Sequence, residues 1–140
     1  MANPTYDQKR AKHAWALVQA VLTLSEASQR EFQIQAKRMP LRILASGLGQ
    51  ALALLEARDA GRELRGALAD WIATSGLVEA PRDESDDLTD WIVWGDSAFL
   101  RSATGEALEY LQWVVRFADS LIHVDEDEDQ NTNATEIYQA

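Results

Sequence analysis

The chain has 140 residues, of which 46% are hydrophobic and 26% charged, with a formal net charge of −10. That length fits a single domain able to bury about 68% of its extended surface. The absence of Cys excludes a disulfide scaffold and a thiolate metal site; no apolar run approaches the ~18 residues of a membrane span, the opening residues read as no signal peptide, and a cytoplasmic protein with no membrane partner is expected.

The first expected helix covers 7–24. Ala11, Trp15, Val18 and Leu22 form one apolar stripe, and Ala14, Leu17, Val21 and Leu24 form a second beside it. Lys9, Lys12 and Gln19 fall on the other side. Ser28 followed by Glu31 matches a capping box, which predicts a second helix from there to just before Pro40. Pro40 suits the first turn of a third helix over about 40–58. Its core stripe is expected to be Leu41, Leu44, Leu48, Leu52 and Leu55. Gly47 and Gly49 then lie inside a helical pattern, where each costs about 1 kcal/mol relative to Ala. Close approach by a neighbouring helix or a ligand is the expected reason for the pair.

Asp59-Ala60-Gly61 reads as a turn, and a fourth helix over 62–75 turns Leu64, Leu68, Trp71 and Ile72 inward. Ser75-Gly76-Leu77 ends it as a glycine C-cap. An acidic loop over 78–87 leads to a short helix with Leu88, Trp91 and Ile92, which stops near Gly95. Asp96 or Ser97 caps a last helix reaching about 123, with a kink or fresh cap expected at Thr104-Gly105. Its inward stripes are Leu108, Leu111, Val115, Ala118, Ile122 and Tyr110, Val114, Phe117, Leu121. No stretch alternates with period two for long, so residues 1–123 are expected to form one all-α domain, a compact bundle of five to six helices. Residues 124–140 are expected to be an acidic, disordered tail.

The catalytic inventory is thin. His13 and His123 sit on helices in no pattern that assembles nucleophile, base and orienter, and they read as surface or partly buried helix histidines. Gly47-x-Gly49 follows no strand and is no phosphate cradle. Asp125, Asp127, Asp129, Asn133 and Glu136 mimic the spacing of a calcium loop, but Gln130 stands where the sharp turn demands Gly. No cofactor and no metal are expected. Trp15, Trp71 and Trp91 lie in core phases, which leaves Trp94 as the tryptophan best placed for a partner.

The basic residues carry the strongest physical signal. Residues 1–65 hold ten Lys/Arg against six Asp/Glu, a net of +4, whereas residues 66–140 hold three against 17, a net of −14. That asymmetry suits one side facing a polyanion and another facing solvent or a partner. Lys9, Arg10, Lys12, Lys37, Arg38, Arg42, Arg58, Arg62 and Arg65 are candidates for contact with a nucleic-acid backbone, which needs positive charge but no base reading. The same residues are also consistent with solvated faces holding local ion pairs, for instance Arg58 with Asp59 or Glu63. A protein-binding helical adaptor or dimeric scaffold, docking a basic partner through the acidic stretch from Asp83 to Asp90, is the alternative that spacing leaves open.

Three segments in order also resemble a known family. They are Gln8-Lys9-Arg10-Ala11-Lys12-x-Ala14-Trp15; Lys37-Arg38 before Pro40, with Ile43 and Gly47-Leu48-x-Gln50; and Glu106-Ala107-Leu108-x-x-Leu111-x-Trp113 followed by Arg116-Phe117-Ala118. Across about residues 6–123 the chain resembles the small subunit of the type III-B CRISPR effector, the Cmr complex. The resemblance implies an all-α, non-catalytic subunit whose copies stack beside the larger backbone subunits, near the large subunit. It further implies contact with guide RNA and target RNA through their backbone, and it adds Arg116 to the candidate contacts. Three positions depart from the family pattern: Val115 where a Lys is common, and Phe32 and Leu100 where a Tyr is common.

Overall fold

The computed structural model describes residues 2–58, 61–79 and 87–123. Asp59 and Ala60, most of the expected acidic loop and the expected tail, with its calcium-like spacing, lie outside the described residues. Among those described there are six helices and no strand: α1 (Tyr6–Val21), α2 (Glu26–Ser46), α3 (Leu48–Glu56), α4 (Arg62–Thr74), α5 (Leu88–Trp94) and α6 (Ser97–Leu121). The fold is an all-α bundle.

Local chemistry sets most of the boundaries. Thr5 opens α1 with a reciprocal capping box: its hydroxyl accepts from the Gln8 amide at 3.0 Å, and its own amide donates to Gln8 Oε1 at 2.7 Å. Asp87 and Asp96 open α5 and α6 by accepting from the amides of Thr89 and Phe99. Gly76, at φ +76°, closes the turn after α4 as the sequence suggested.

Several expectations change. The second helix is capped by Ser25 and starts at Glu26, because the Gln29 side-chain amide ties the Leu22 and Leu24 carbonyls and closes the α1–α2 turn early. It does not stop at Pro40. A proline removes one intrahelical hydrogen bond, but Ala36, Met39 and Ile43 are buried on both sides of it, and that packing carries the helix through. The break comes at Gly47, with φ +88° and ψ 160°, a conformation that is essentially glycine's own. Leu41 and Leu44 consequently leave the expected core stripe: each is 72% exposed, because Met39 and Ile43 hold the inward face of α2. Finally, α6 runs without interruption through Thr104-Gly105, where the Thr104 hydroxyl donates back to the Leu100 carbonyl at 2.6 Å.

Of the two glycines, only Gly47 needs an unusual backbone. Gly49 supplies the close approach: a Cβ there would stand 3.3 Å from Ile92 Cγ2, so α5 rests directly on α3. The long α6 packs against α1, α2 and α4. Ala14, Val18 and Val21 form the buried face of α1. Trp15, expected inside, is 45% exposed and lies edge-on against Phe117, with ring centroids 5.2 Å apart.

Gly47→Ala forces a side chain into a left-handed conformation with no rearrangement of contacts to compensate. It is expected to cost ~1–3 kcal/mol in urea denaturation. Gly66→Ala, within α4 where a Cβ meets nothing within 4 Å, is expected to shift stability the other way by about 0.5–1 kcal/mol.

Candidate nucleic-acid interface

The candidate cations fall into distinct environments. Arg38 and Arg42 lie one turn apart on α2. The Gly47 break turns α3 back along α2, and Arg58, just past its end, reaches Glu31 near the start of α2, Nη1 to Oε1 3.6 Å. The three guanidinium groups therefore crowd one corner. Burial first, then the positive charges of Arg38 and Arg58, push Arg42 below its ordinary value. A cation whose neighbours repel it marks a place where an anion is favoured.

Uncharged and acidic residues position this corner. Arg42 Nη1 donates to Gln35 Oε1 at 2.6 Å, and Gln35 Nε2 donates to Glu31 Oε1 at 2.9 Å. Gln35 is fully buried. Arg58 directly and Arg42 through Gln35 thus share the single carboxylate of Glu31, with Arg38 near enough to repel Arg42. Neither Gln35 nor Glu31 was singled out in the sequence as part of a binding site; polar residues one or two turns apart on a helix, as Glu31, Gln35 and Arg42 are, occur too often to signal it.

Lys37 stands on a neighbouring stripe of α2. Its Nζ lies 2.9 Å from Asp119 Oδ1, which also accepts from Gln33 Nε2 at 3.1 Å. Arg116 is exposed one turn earlier on α6. Lys9 and Lys12 are exposed on α1, with Lys9 Nζ 5.1 Å from the centre of the Tyr6 ring, and Arg62 is exposed at the start of α4. Two candidates have their guanidinium groups engaged inside the fold. Arg65 Nη2 donates to both oxygens of Asp87 at 3.0 Å. Arg10 makes a two-point contact with Glu106, Nε to Oε1 2.6 Å and Nη2 to Oε2 2.9 Å. Those bonds hold Arg10 above its ordinary value against the opposing effect of burial.

A family model described as CRISPR-associated protein (Cas_Cmr5) matches residues 6–121, from the first residue of α1 to the last of α6. The chain belongs to the Cas_Cmr5 family. Its fold is similar to that in the X-ray crystal structure of a CRISPR-associated Cmr5 family protein from Thermus thermophilus, with a TM-score of 0.71 and 26% sequence identity over 86% of this chain and 100% of that one. No curated protein matches the chain.

Several residues that carry the Cas_Cmr5 resemblance join helices to one another. Glu106, in the carboxy-terminal segment, holds Arg10 of the opening segment and also accepts from Trp71 Nε1 at 2.8 Å. Trp113 Nε1 donates to Asp7 Oδ1 at 2.9 Å. Phe32, in the place of a frequent Tyr, is buried, and Val115 packs against the core.

Beside this junction His13 bridges three helices. Its Nε2 is 2.7 Å from Asp70 Oδ2 and its Nδ1 is 2.7 Å from the Tyr110 hydroxyl. A carboxylate only accepts, so Nε2 carries the proton, and in the neutral ring Nδ1 accepts from the tyrosine. Tyr110 is fully buried and stacks on Trp71 with centroids 5.8 Å apart. Burial, then the charge of Asp70, raises the Tyr110 hydroxyl above its ordinary value. The arrangement has the outline of an Asp-His-hydroxyl relay, but its hydroxyl is enclosed and hard to ionise, so it serves as a clasp. The spacing 13, 70, 110 gave no sequence signal.

Glu106→Gln leaves Arg10 only its longer contact to Asp7, Nη1 to Oδ1 3.5 Å, and is expected to cost ~3 kcal/mol in urea denaturation at neutral pH. The raised Tyr110 value has a defined sign: its contribution is fully present below about pH 10, where the unfolded tyrosine ionises, and is lost above it. Stability is expected to fall by up to ~1.4 kcal/mol per pH unit above that point from this group. Tyr110→Phe should lower neutral-pH stability by ~1 kcal/mol through the lost hydrogen bond, yet show a shallower alkaline decline in denaturation series from pH 9 upward.

Proposed function

We propose that the chain is the non-catalytic small subunit of a type III-B CRISPR effector ribonucleoprotein, acting in antiviral defence. In this reading its copies stack in the cytoplasm along the guide RNA and target RNA, beside the backbone and large subunits, and hold RNA backbone electrostatically. Membership of the Cas_Cmr5 family supports a role within a Cmr complex. The observation that supports the RNA contact is the crowding of Arg38, Arg42 and Arg58 at one corner, where Arg42 and Arg58 share the one carboxylate of Glu31. Guanidinium groups suit phosphate oxygens through paired N–H donors, and a sequence-blind contact needs nothing more.

Lys9, Lys12, Lys37, Arg62 and Arg116 are the supplementary contacts in this proposal, all on exposed positions. Arg10 and Arg65 are assigned to the fold instead, since Glu106 and Asp87 already occupy their donors.

Substituting Gln for Arg38, Arg42 and Arg58 together is expected to weaken RNA binding by the reconstituted effector. Each lost phosphate contact lowers the slope of log affinity against log salt by about 0.7 for single-stranded RNA, so the triple variant should lose about 2 units of slope. An unchanged affinity and slope, in a variant that still folds and assembles, would remove these residues from the RNA interface.

A further inference from the structure

The basic corner of α2 and α3 is left short of negative charge. Arg38 is exposed and meets no carboxylate among the described residues. The hydrogen-bond partner of Arg42 is the uncharged Gln35. Arg58 reaches Glu31 only at 3.6 Å, with about half of its side chain exposed. Three guanidinium charges and one carboxylate leave an excess of two positive charges. Beside the corner, Leu41 and Leu44 on α2 are each 72% exposed, with Leu41 one turn beyond Arg38.

The sequence beyond the described residues carries a match to both features. Asp125-Glu126-Asp127-Glu128-Asp129 is an unbroken run of carboxylates that begins two residues past His123, the last described residue. After it, the only large apolar residues are Ile137 and Tyr138. The end of α6 lies close to the corner. Asp119 accepts from Gln33 and meets Lys37 on α2, and Gln33 is two residues from Glu31, which meets Arg58. Six residues lead from Asp119 to Asp125, up to about 20 Å of extended chain, and a helix is only about 10 Å across. The other exposed cations are less well placed. α1 runs in the same direction as α6, since Arg10 and His13 meet Glu106 and Tyr110 while Trp15 meets Phe117, so Lys9 and Lys12 lie toward the far end of the bundle. Arg116 is nearer but single.

We propose that the carboxy-terminal segment of this chain folds back on its own α2, the Asp125–Asp129 run on the Arg38, Arg42 and Arg58 corner and Ile137 with Tyr138 on Leu41 and Leu44. The segment is then a tethered polyanion that competes with RNA for the same guanidinium groups. That competitive role rests on the reading of the corner as an RNA contact; the fold-back contact itself does not. A short flexible tether holds its ligand at a millimolar effective concentration, so ion pairs that are weak one by one still fill the corner. An RNA held at many points in an assembled complex displaces the run, whereas an RNA that meets one free chain gains too little to do so.

The cysteine-free sequence gives a direct test, since Thr132→Cys supplies a single thiol for a nitroxide spin label and removes no carboxylate. In the isotope-labelled full-length chain, the label is expected to broaden the amide resonances of Arg38, Leu41 and Arg58 and to spare those of Lys9 and Lys12. The broadening should disappear in about 0.5 M salt, on adding single-stranded uridine RNA, and when residues 125–129 are changed to Asn and Gln. That neutralisation should raise the affinity of the chain for the same RNA about fivefold at low salt. In a chain that also carries Arg38→Gln, Arg42→Gln and Arg58→Gln it should bring no gain. Broadening that is even over the chain, centred on Arg116, or seen only between a spin-labelled copy and an isotope-labelled one overturns the fold-back contact. So does an equal gain in affinity with and without the corner. In either case the RNA reading stands when the corner substitutions still weaken RNA binding. Broadening at the corner that RNA never reverses, with RNA affinity indifferent to both sets of substitutions, keeps the contact and overturns the RNA reading of the corner instead.

Discussion

The carboxylate of Glu106 is the point on which the rest of the bundle turns. It is buried on α6, where an ionised group is costly unless its oxygens are engaged. Arg10 supplies two donors from α1 and Trp71 supplies a third from α4. Three helices distant in sequence are therefore fixed by one side chain. The directional demand of a buried charge sets their rotation in a way that nonpolar packing alone does not. The neighbouring His13 contacts to Asp70 and Tyr110 connect the same three helices a second time. With α1, α4 and α6 held, α2 is left to pack against α6 and to direct its other faces outward.

That division of labour explains the two outward surfaces of α2. Gly47 ends the helix in a conformation closed to other residues, and α3 returns along it as the second arm of a hairpin. The return places Arg58 beside Glu31, and the repulsion felt by Arg42 follows from that geometry. One stripe of α2 becomes a cationic corner, and the next carries Leu41 and Leu44 to the surface.

Charge in this chain thus works at two levels. Inside, Arg10 and Arg65 are consumed by Glu106 and Asp87, so basic residues close together in sequence with the proposed contacts serve the fold. Outside, most of the remaining cations lie in the first half of the chain, while the stretch before α5 is rich in carboxylates.

The all-α class, helix order and most of the inward face of α4 could be read from periodicity, because Leu64, Leu68, Trp71 and Ile72 follow a 3.6-residue repeat between clear end signals. The resemblance to the Cmr small subunit could be read as well, since it rests on residue types at fixed spacing, and those residues are conspicuous because they join α1 to α6. Periodicity failed where two stripes were equally apolar. Leu41 and Leu44 looked inward until Met39 and Ile43 took the face toward α6, and Trp15 yielded the α1 interior to Ala14, Val18 and Val21. Partners far apart along the chain were beyond its reach too: nothing local pairs Arg10 with Glu106, His13 with Asp70, or Arg58 with Glu31. Composition and spacing specify which segments coil and where positive charge is plentiful. Which cations stay available to a ligand is settled when the helices dock, because docking decides which carboxylate each one meets.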